Sequence, residues 1–193
     1  MNEGREYPWY DLIEGESLAQ GDLLQSFELI IPQVLVAGRT PPDPSGAIPL
    51  ENRVIDLVVM SQTCDIENDK VVSLLLCPRW DLWQFEEEAR KAGQSWNDSQ
   101  REALRRGNLP GYHLLNEAEV DDLHLGLSIV DFHEVYTAPT TLVKQFAGSA
   151  GKRPRLLPPY REHLAQAFAR FFMRVGLPVD IPKEKLKKNP AST

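Results

Sequence analysis

Two apolar runs separated by a short polar stretch constrain this chain more than any other feature. Val54-Ile55-Asp56-Leu57-Val58-Val59-Met60-Ser61-Gln62 is rich in β-branched residues and carries a single charge, Asp56. A strand with one wet face alternates apolar and polar side chains, whereas a nearly continuous run is the pattern of a strand covered on both faces. Val71-Val72-Ser73-Leu74-Leu75-Leu76-Cys77 repeats that pattern before Pro78, and the intervening Asp65–Lys70 is polar enough to turn. The two runs are expected to pair as a hairpin.

Other elements follow from similar signals. Gly21-Asp22 reads as a turn launching a run from Leu23 to Val36, in which Pro32 predicts an edge strand or a bulge. Residues 38–49 hold four prolines and two glycines and read as a loop. Tyr7-Pro8-Trp9-Tyr10 is dense in aromatic rings and is expected to dock on the body. Asp81 is an N-cap for a helix over Leu82–Ala92 stopped by Gly93, and Asn97 or Asp98 caps a second over Ser99–Arg106 before Gly107. Gly111–Leu115 and Leu125–Tyr136 read as strands. After Pro158-Pro159, Leu164, Ala167, Phe168, Phe171 and Val175 fall on one face of a helix, with Arg170 and Arg174 on another and Phe172 widening the apolar stripe. Gly176-Leu177-Pro178 ends it, and the basic residues beyond are expected to be disordered.

Composition bounds the class of protein. Of 193 residues, 42% are hydrophobic and 25% charged, enough for a sizeable core. No apolar stretch approaches the roughly 20 residues of a membrane span, and the first residues, Met-Asn-Glu-Gly-Arg-Glu, lack a signal segment. Two cysteines make no disulfide framework, and Cys64 and Cys77 would lie at opposite ends of the hairpin. A cytoplasmic protein with reduced thiols is expected. The net charge of −7 argues against general coating of nucleic acid, but it hides an asymmetry. Residues 1–140 hold 10 Lys/Arg against 25 Asp/Glu, and residues 141–193 hold 11 against 3. The basic quarter either lies on the acidic body or is solvated, the favoured reading, or it docks an anionic partner.

Chemistry is sparse. No P-loop, GxGxxG, GxSxG, HExxH or CxxC occurs, so neither cofactor nor metal is expected. Ser61-Gln62-Thr63-Cys64-Asp65 offers a nucleophile and a base, yet a thiolate needs a nearby imidazole and none is adjacent; a buried structural Cys64 is the favoured reading. Asp131, His133 and His113 could converge on a metal, although solvated or hydrogen-bonded histidines are expected. Arg53, Arg79, Lys152, Arg153, Arg155, Arg170 and Arg174 are candidate phosphate contacts, each a surface charge by default.

The order Gly21-Asp22-Leu23-Leu24, long loop, Val54–Ser61, polar turn, Val71–Cys77-Pro78 resembles the PemK/MazF family of toxin endoribonucleases over residues 20–80. The resemblance implies an SH3-like β-barrel, often dimeric, that cleaves single-stranded RNA without metal. The family's catalytic positions are not matched. Its Arg-Pro pair falls at Ile55-Asp56, with Arg53 two residues away, and its threonine falls at Trp80, preceded by Arg79.

The expected fold is α+β: a small PemK-like barrel over residues 1–157 with a helical insertion at 81–107, a C-terminal helix at 158–178 and a basic tail at 179–193. The expected function is a non-catalytic binding or regulatory component of a bacterial toxin–antitoxin or phage-defence system. Phe168, Arg170, Phe171, Phe172 and Arg174 would hold a protein partner, with single-stranded RNA and a second copy of the chain as further partners. The alternative is an active endoribonuclease using Arg53 or Arg79 on phosphate with Asp65 as base, and a third reading is a hydrolase centred on Cys64.

Overall fold

The computed structural model describes residues 7–32, 49–121 and 123–173. Three long strands carry the architecture: β2 (Leu23–Pro32) after the short β1 (Tyr10–Ile13), β3 (Leu50–Val59) and β4 (Ser73–Asp81). β2 pairs antiparallel with β3, and β3 with β4 in the register Leu57 to Pro78, Val58 to Cys77 and Val59 to Leu76. The two apolar runs are therefore neighbours, but the stretch between them is more than a turn. It contains a one-turn helix, α1 (Thr63–Glu67), whose Ile66 is buried.

The continuous apolar run now has its physical reason. Alternate side chains of a strand point to opposite faces. Leu57 and Val59 enter one core with Leu24, Phe27, Leu74 and Leu76, while Val58 and Met60 enter a second with Leu23, Cys77 and Val130. Leu57, Val58 and Val59 have no exposed surface, so each contributes about 1.5–3 kcal/mol through burial.

Past β4 the chain runs through α2 (Leu82–Lys91), α3 (Asp98–Arg105), β5 (Tyr112–Leu115), β6 (Ala118–Val120), β7 (Leu123–Leu125), β8 (Ser128–Asp131), β9 (Tyr136–Pro139), α4 (Thr140–Ser149), β10 (Arg153–Leu156) and α5 (Tyr160–Phe172). The main sheet has the order β2-β3-β4-β8-β5, and β9 pairs with the first half of β4. α4 covers one face through Val143 and Ala147, and α5 covers the other through Leu164.

The fold is thus α+β with antiparallel sheets and five helices among the described residues. The expected barrel is not formed: β2 and β5 end the main path without pairing to each other. The strand expected over Leu125–Tyr136 is divided among β7, β8 and β9. Gly126 sits at the first break, and the turn at Phe132 to Val135 redirects the chain from the second half of β4 to its first half. α4 and β10 lack strong local signals and were not expected.

Both helix caps are as read. The Asp81 carboxylate accepts from the backbone N–H of Trp83 and Gln84, and Asn97 forms a reciprocal capping box with Gln100. The helices are less superficial than an insertion on the surface. Leu82 and Leu104 pack with Ile129 of the sheet, and Phe85, Trp96 and Tyr112 meet edge to face. Buried Glu86 receives two hydrogen bonds from Arg101, at 2.7 and 2.6 Å. The aromatic N-terminal segment docks as expected: Trp9 stacks on Tyr160 at 3.7 Å, and the buried Tyr10 donates its hydroxyl to the Asn116 carbonyl. Among the described residues no helix is long and apolar enough to cross a membrane.

Candidate functional site

A β-bulge opens the most polar cleft. Between Leu24 and Phe27 the β2–β3 register slips, and Ser26 adopts a left-handed backbone (φ +54°). Its N–H donates to Asp56 Oδ1 at 2.8 Å. Asp56 faces Arg79 across β3 and β4, and Arg79 Nη2 donates to Asp56 Oδ2 at 2.5 Å. The Arg79 side chain is 10% exposed, and its buried Nε has no hydrogen-bond partner among the described residues. The cleft measures about 390 Å³, and Gln25, Trp80, Asp81, Gln84 and His124 complete its polar wall. A charged guanidinium with one satisfied side and one orphaned donor can hold an anion, but Asp56 already neutralises it.

The other catalytic candidates are not brought to this cleft. Arg53 lies three residues from Asp56 on β3, hence on the opposite face of the sheet. There it bonds Glu51 at 3.1 Å and the Tyr136 hydroxyl at 3.2 Å. Asp65 is on α1, past the end of β3, where Lys70 approaches it at 3.8 Å. It lines a different cavity, of about 350 Å³, between Ser61 and the Ala165–Ala169 stretch of α5. The three groups of the alternative nuclease reading therefore occupy three separate places.

Cys64 is exposed, which corrects the reading of it as a buried hydrophobe: α1 is one turn long and buries only Ile66. Its Sγ lies 3.8 Å from Gln62 Oε1 and from Asp65 Oδ1, and no imidazole is bonded to it among the described residues. Cys77 is the buried thiol, and desolvation, aided by the Asp131 charge, pushes its pKa up to about 12.

The histidines do not assemble into a metal site. His133 Nδ1 bonds Asp131 Oδ1 at 2.7 Å, while His113 stacks with Phe132. Among the described residues no group of three or more metal-ligating side chains comes together.

The aromatic face of α5 divides in two. Phe168 and Phe171 are half-buried against Phe132, at ring distances of 5.4 and 6.1 Å, so they serve the core rather than an open docking face. Phe172 and Met173 are exposed, and so is Arg170. Arg174, the loop at 38–48 and the basic tail lie outside the described residues.

Much of the remaining basic quarter folds onto the acidic body. Lys144 pairs with Asp69 at 3.4 Å and Lys152 with Asp121 at 3.3 Å. Arg153 and Arg155 both bind Asp22, which is wholly buried. The Gly21-Asp22 pair is thus an internal anchor: Asp22 ties the start of β2 to β10.

Sequence reasoning missed Asp56, Ser26 and His124 as cleft residues. A signal existed for Asp56, the lone charge in an apolar run, yet only the strand register sets it opposite Arg79. No protein-family model, no curated protein and no solved structure matches the chain.

Proposed function

We propose that this chain is a non-catalytic binding or regulatory component whose contact surface for a protein partner lies at the C-terminal end of α5. One observation carries the reading: each arginine that a nuclease would use is already engaged by protein groups, Arg53 by Glu51 and Tyr136 and Arg79 by Asp56, while Asp65 lines another cavity. Catalysis of phosphodiester cleavage needs a cation and a base converging on one phosphate. The exposed Phe172 and Met173 beside Arg170 suit an acidic, partly apolar protein segment. The sequence order of Gly21-Asp22, long loop, Val54–Ser61 and Val71–Cys77-Pro78 resembles PemK/MazF toxins, and that resemblance is the support for a role within a toxin–antitoxin or phage-defence system.

The test is incubation of purified protein with a long, mixed-sequence single-stranded RNA, in chelator and in Mg²⁺. Intact RNA and unimpaired growth of expressing cells are the expected results. Discrete fragments that vanish in Arg79→Ala would overturn the reading in favour of a metal-independent endoribonuclease, whose best support is the orphaned Arg79 Nε.

A further inference from the structure

The largest cavity described, about 740 Å³, lies between the loop that leaves α3, strand β5 and the outer face of α5. Three elements bring nitrogen-bearing side chains to it: Arg106 from just beyond α3, His113 from β5, and His163 and Arg170 from α5. His163, Ala167 and Arg170 are spaced four and three residues apart, so one helical face presents the imidazole and the guanidinium together. Among the described residues no carboxylate lines this cavity, in a chain with 28 Asp/Glu against 21 Lys/Arg. The 390 Å³ cleft, by contrast, includes Asp56 and Asp81, and the α1 cavity includes Asp65. Glu102 holds Arg106 from outside the cavity, at 2.5 Å, and Arg170 makes no hydrogen bond or ion pair among the described residues.

Apart from Gly107 and the polar Asn108, the remaining wall is largely apolar: Leu109, Pro110, Tyr112, Ala167 and Met173. A cationic rim over an apolar wall recognises an anion attached to an apolar or aromatic body. Guanidinium groups fork onto phosphate oxygens and also stack on flat rings, and the volume lies within the range of small-ligand sites, about 300–1,000 Å³. We propose that this cavity is a nucleoside-phosphate site, with Arg170 and Arg106 on the phosphate and the base against Tyr112 and Pro110. Burial, with His163 and Arg170 adding to it, lowers the His113 pKa to about 4, so a neutral imidazole remains at the cavity wall for a directional hydrogen bond. The inference shares Arg170 and Met173 with the protein-partner surface but rests on the cavity and not on that reading.

Titration calorimetry with AMP, inorganic phosphate and a single-stranded octaribonucleotide tests it on the full chain. AMP is expected to bind saturably, more weakly as salt rises, and more tightly than inorganic phosphate. Loss of one charged hydrogen bond in Arg170→Ala should weaken AMP roughly 10-fold. Arg105→Ala, which breaks the pair with Glu102 outside the cavity, should leave it unchanged. Octanucleotide binding that depends on Arg170, with no binding of AMP, supports the same chemistry with a strand as its source. No saturable binding of either by folded protein overturns the proposal, as does AMP binding indifferent to both Arg170→Ala and Arg106→Ala. Inorganic phosphate binding as tightly as AMP overturns the nucleoside part. Cleavage of the octanucleotide would overturn the non-catalytic reading and leave this site standing.

Discussion

Asp22→Ala should destabilise the chain far more than any surface charge removal. The Asp22 carboxylate is fully buried and accepts from Arg153 Nε at 3.0 Å, from Arg155 Nη2 at 2.9 Å and Nε, and from the Ala19 N–H at 3.3 Å. Removing one partner of a buried pair leaves an uncompensated charge, which costs about 3–5 kcal/mol. The structure places the effect near the lower end. Arg153, 3% exposed, keeps the Gly15 and Ser17 carbonyls as acceptors, and the Arg155 side chain, 17% exposed, can still reach water. For a chain of this length about 3 kcal/mol corresponds to a fall in Tm of roughly 6–12 °C. Thermal and urea unfolding, followed by circular dichroism, give both quantities. Lys144→Ala is the comparison: its pair with Asp69 is largely exposed, and its loss should cost no more than about 1 kcal/mol. The double variant Asp22→Leu with Arg153→Met, which buries no orphan charge at that pair, should recover part of the loss. An Asp22→Ala protein within about 1 kcal/mol of wild type would refute the anchor argument, and so would a double variant less stable than the single.

Three further outcomes can be checked. In the folded protein a thiol reagent should modify Cys64 rapidly and Cys77 only on unfolding, since Cys77 is buried and its pKa is raised to about 12; two fast thiols would contradict the packing of β4. His113 has a folded pKa of about 4, below its ordinary 6.5, so the unfolded chain binds the extra proton first and stability falls as pH drops from about 6.5 to about 4. His163 and Arg170 of α5 oppose that proton, and Arg106, just beyond α3, lines the same cavity. His113→Gln should flatten the loss in this pH window, measured by urea titration, and an unchanged slope would rule the histidine out as its source. Gly21→Ala combines a left-handed backbone (φ +85°) with a Cβ placed 2.9 Å from Leu156 Cβ, and should destabilise by more than about 1 kcal/mol, read from the urea midpoint.

What the sequence determined by itself was local. The Asp81 and Asn97 caps, with Gly93 and Gly107 beyond them, set α2 and α3 to within a residue or two, because a capping side chain bonds backbone two or three positions away. The run at 54–60 was legible as a strand, and from Leu57 to Met60 it is buried on both faces, because alternate side chains point to opposite sides and both are covered there; Val54, at its start, is exposed. The helix after Pro158-Pro159 was legible from its apolar spacing.

Everything that makes a site here depends on contacts distant in sequence. Arg79 meets Asp56 only through the register Leu57 to Pro78, and no local pattern specifies a register. The same stripe of phenylalanines reads as a docking face or as a core face; Phe132, some 36 residues before Phe168, decides that Phe168 and Phe171 face inward. The sequence left the basic quarter either lying on the acidic body or solvated, the favoured reading, or docking a partner; the fold carries Arg153 and Arg155 to Asp22, more than 130 residues away, while Arg170 faces a cavity with His113. Charge sign and hydrophobic period are properties of a segment, but which opposite charge or apolar face a segment meets is set by chain topology, and only the tertiary structure holds that information.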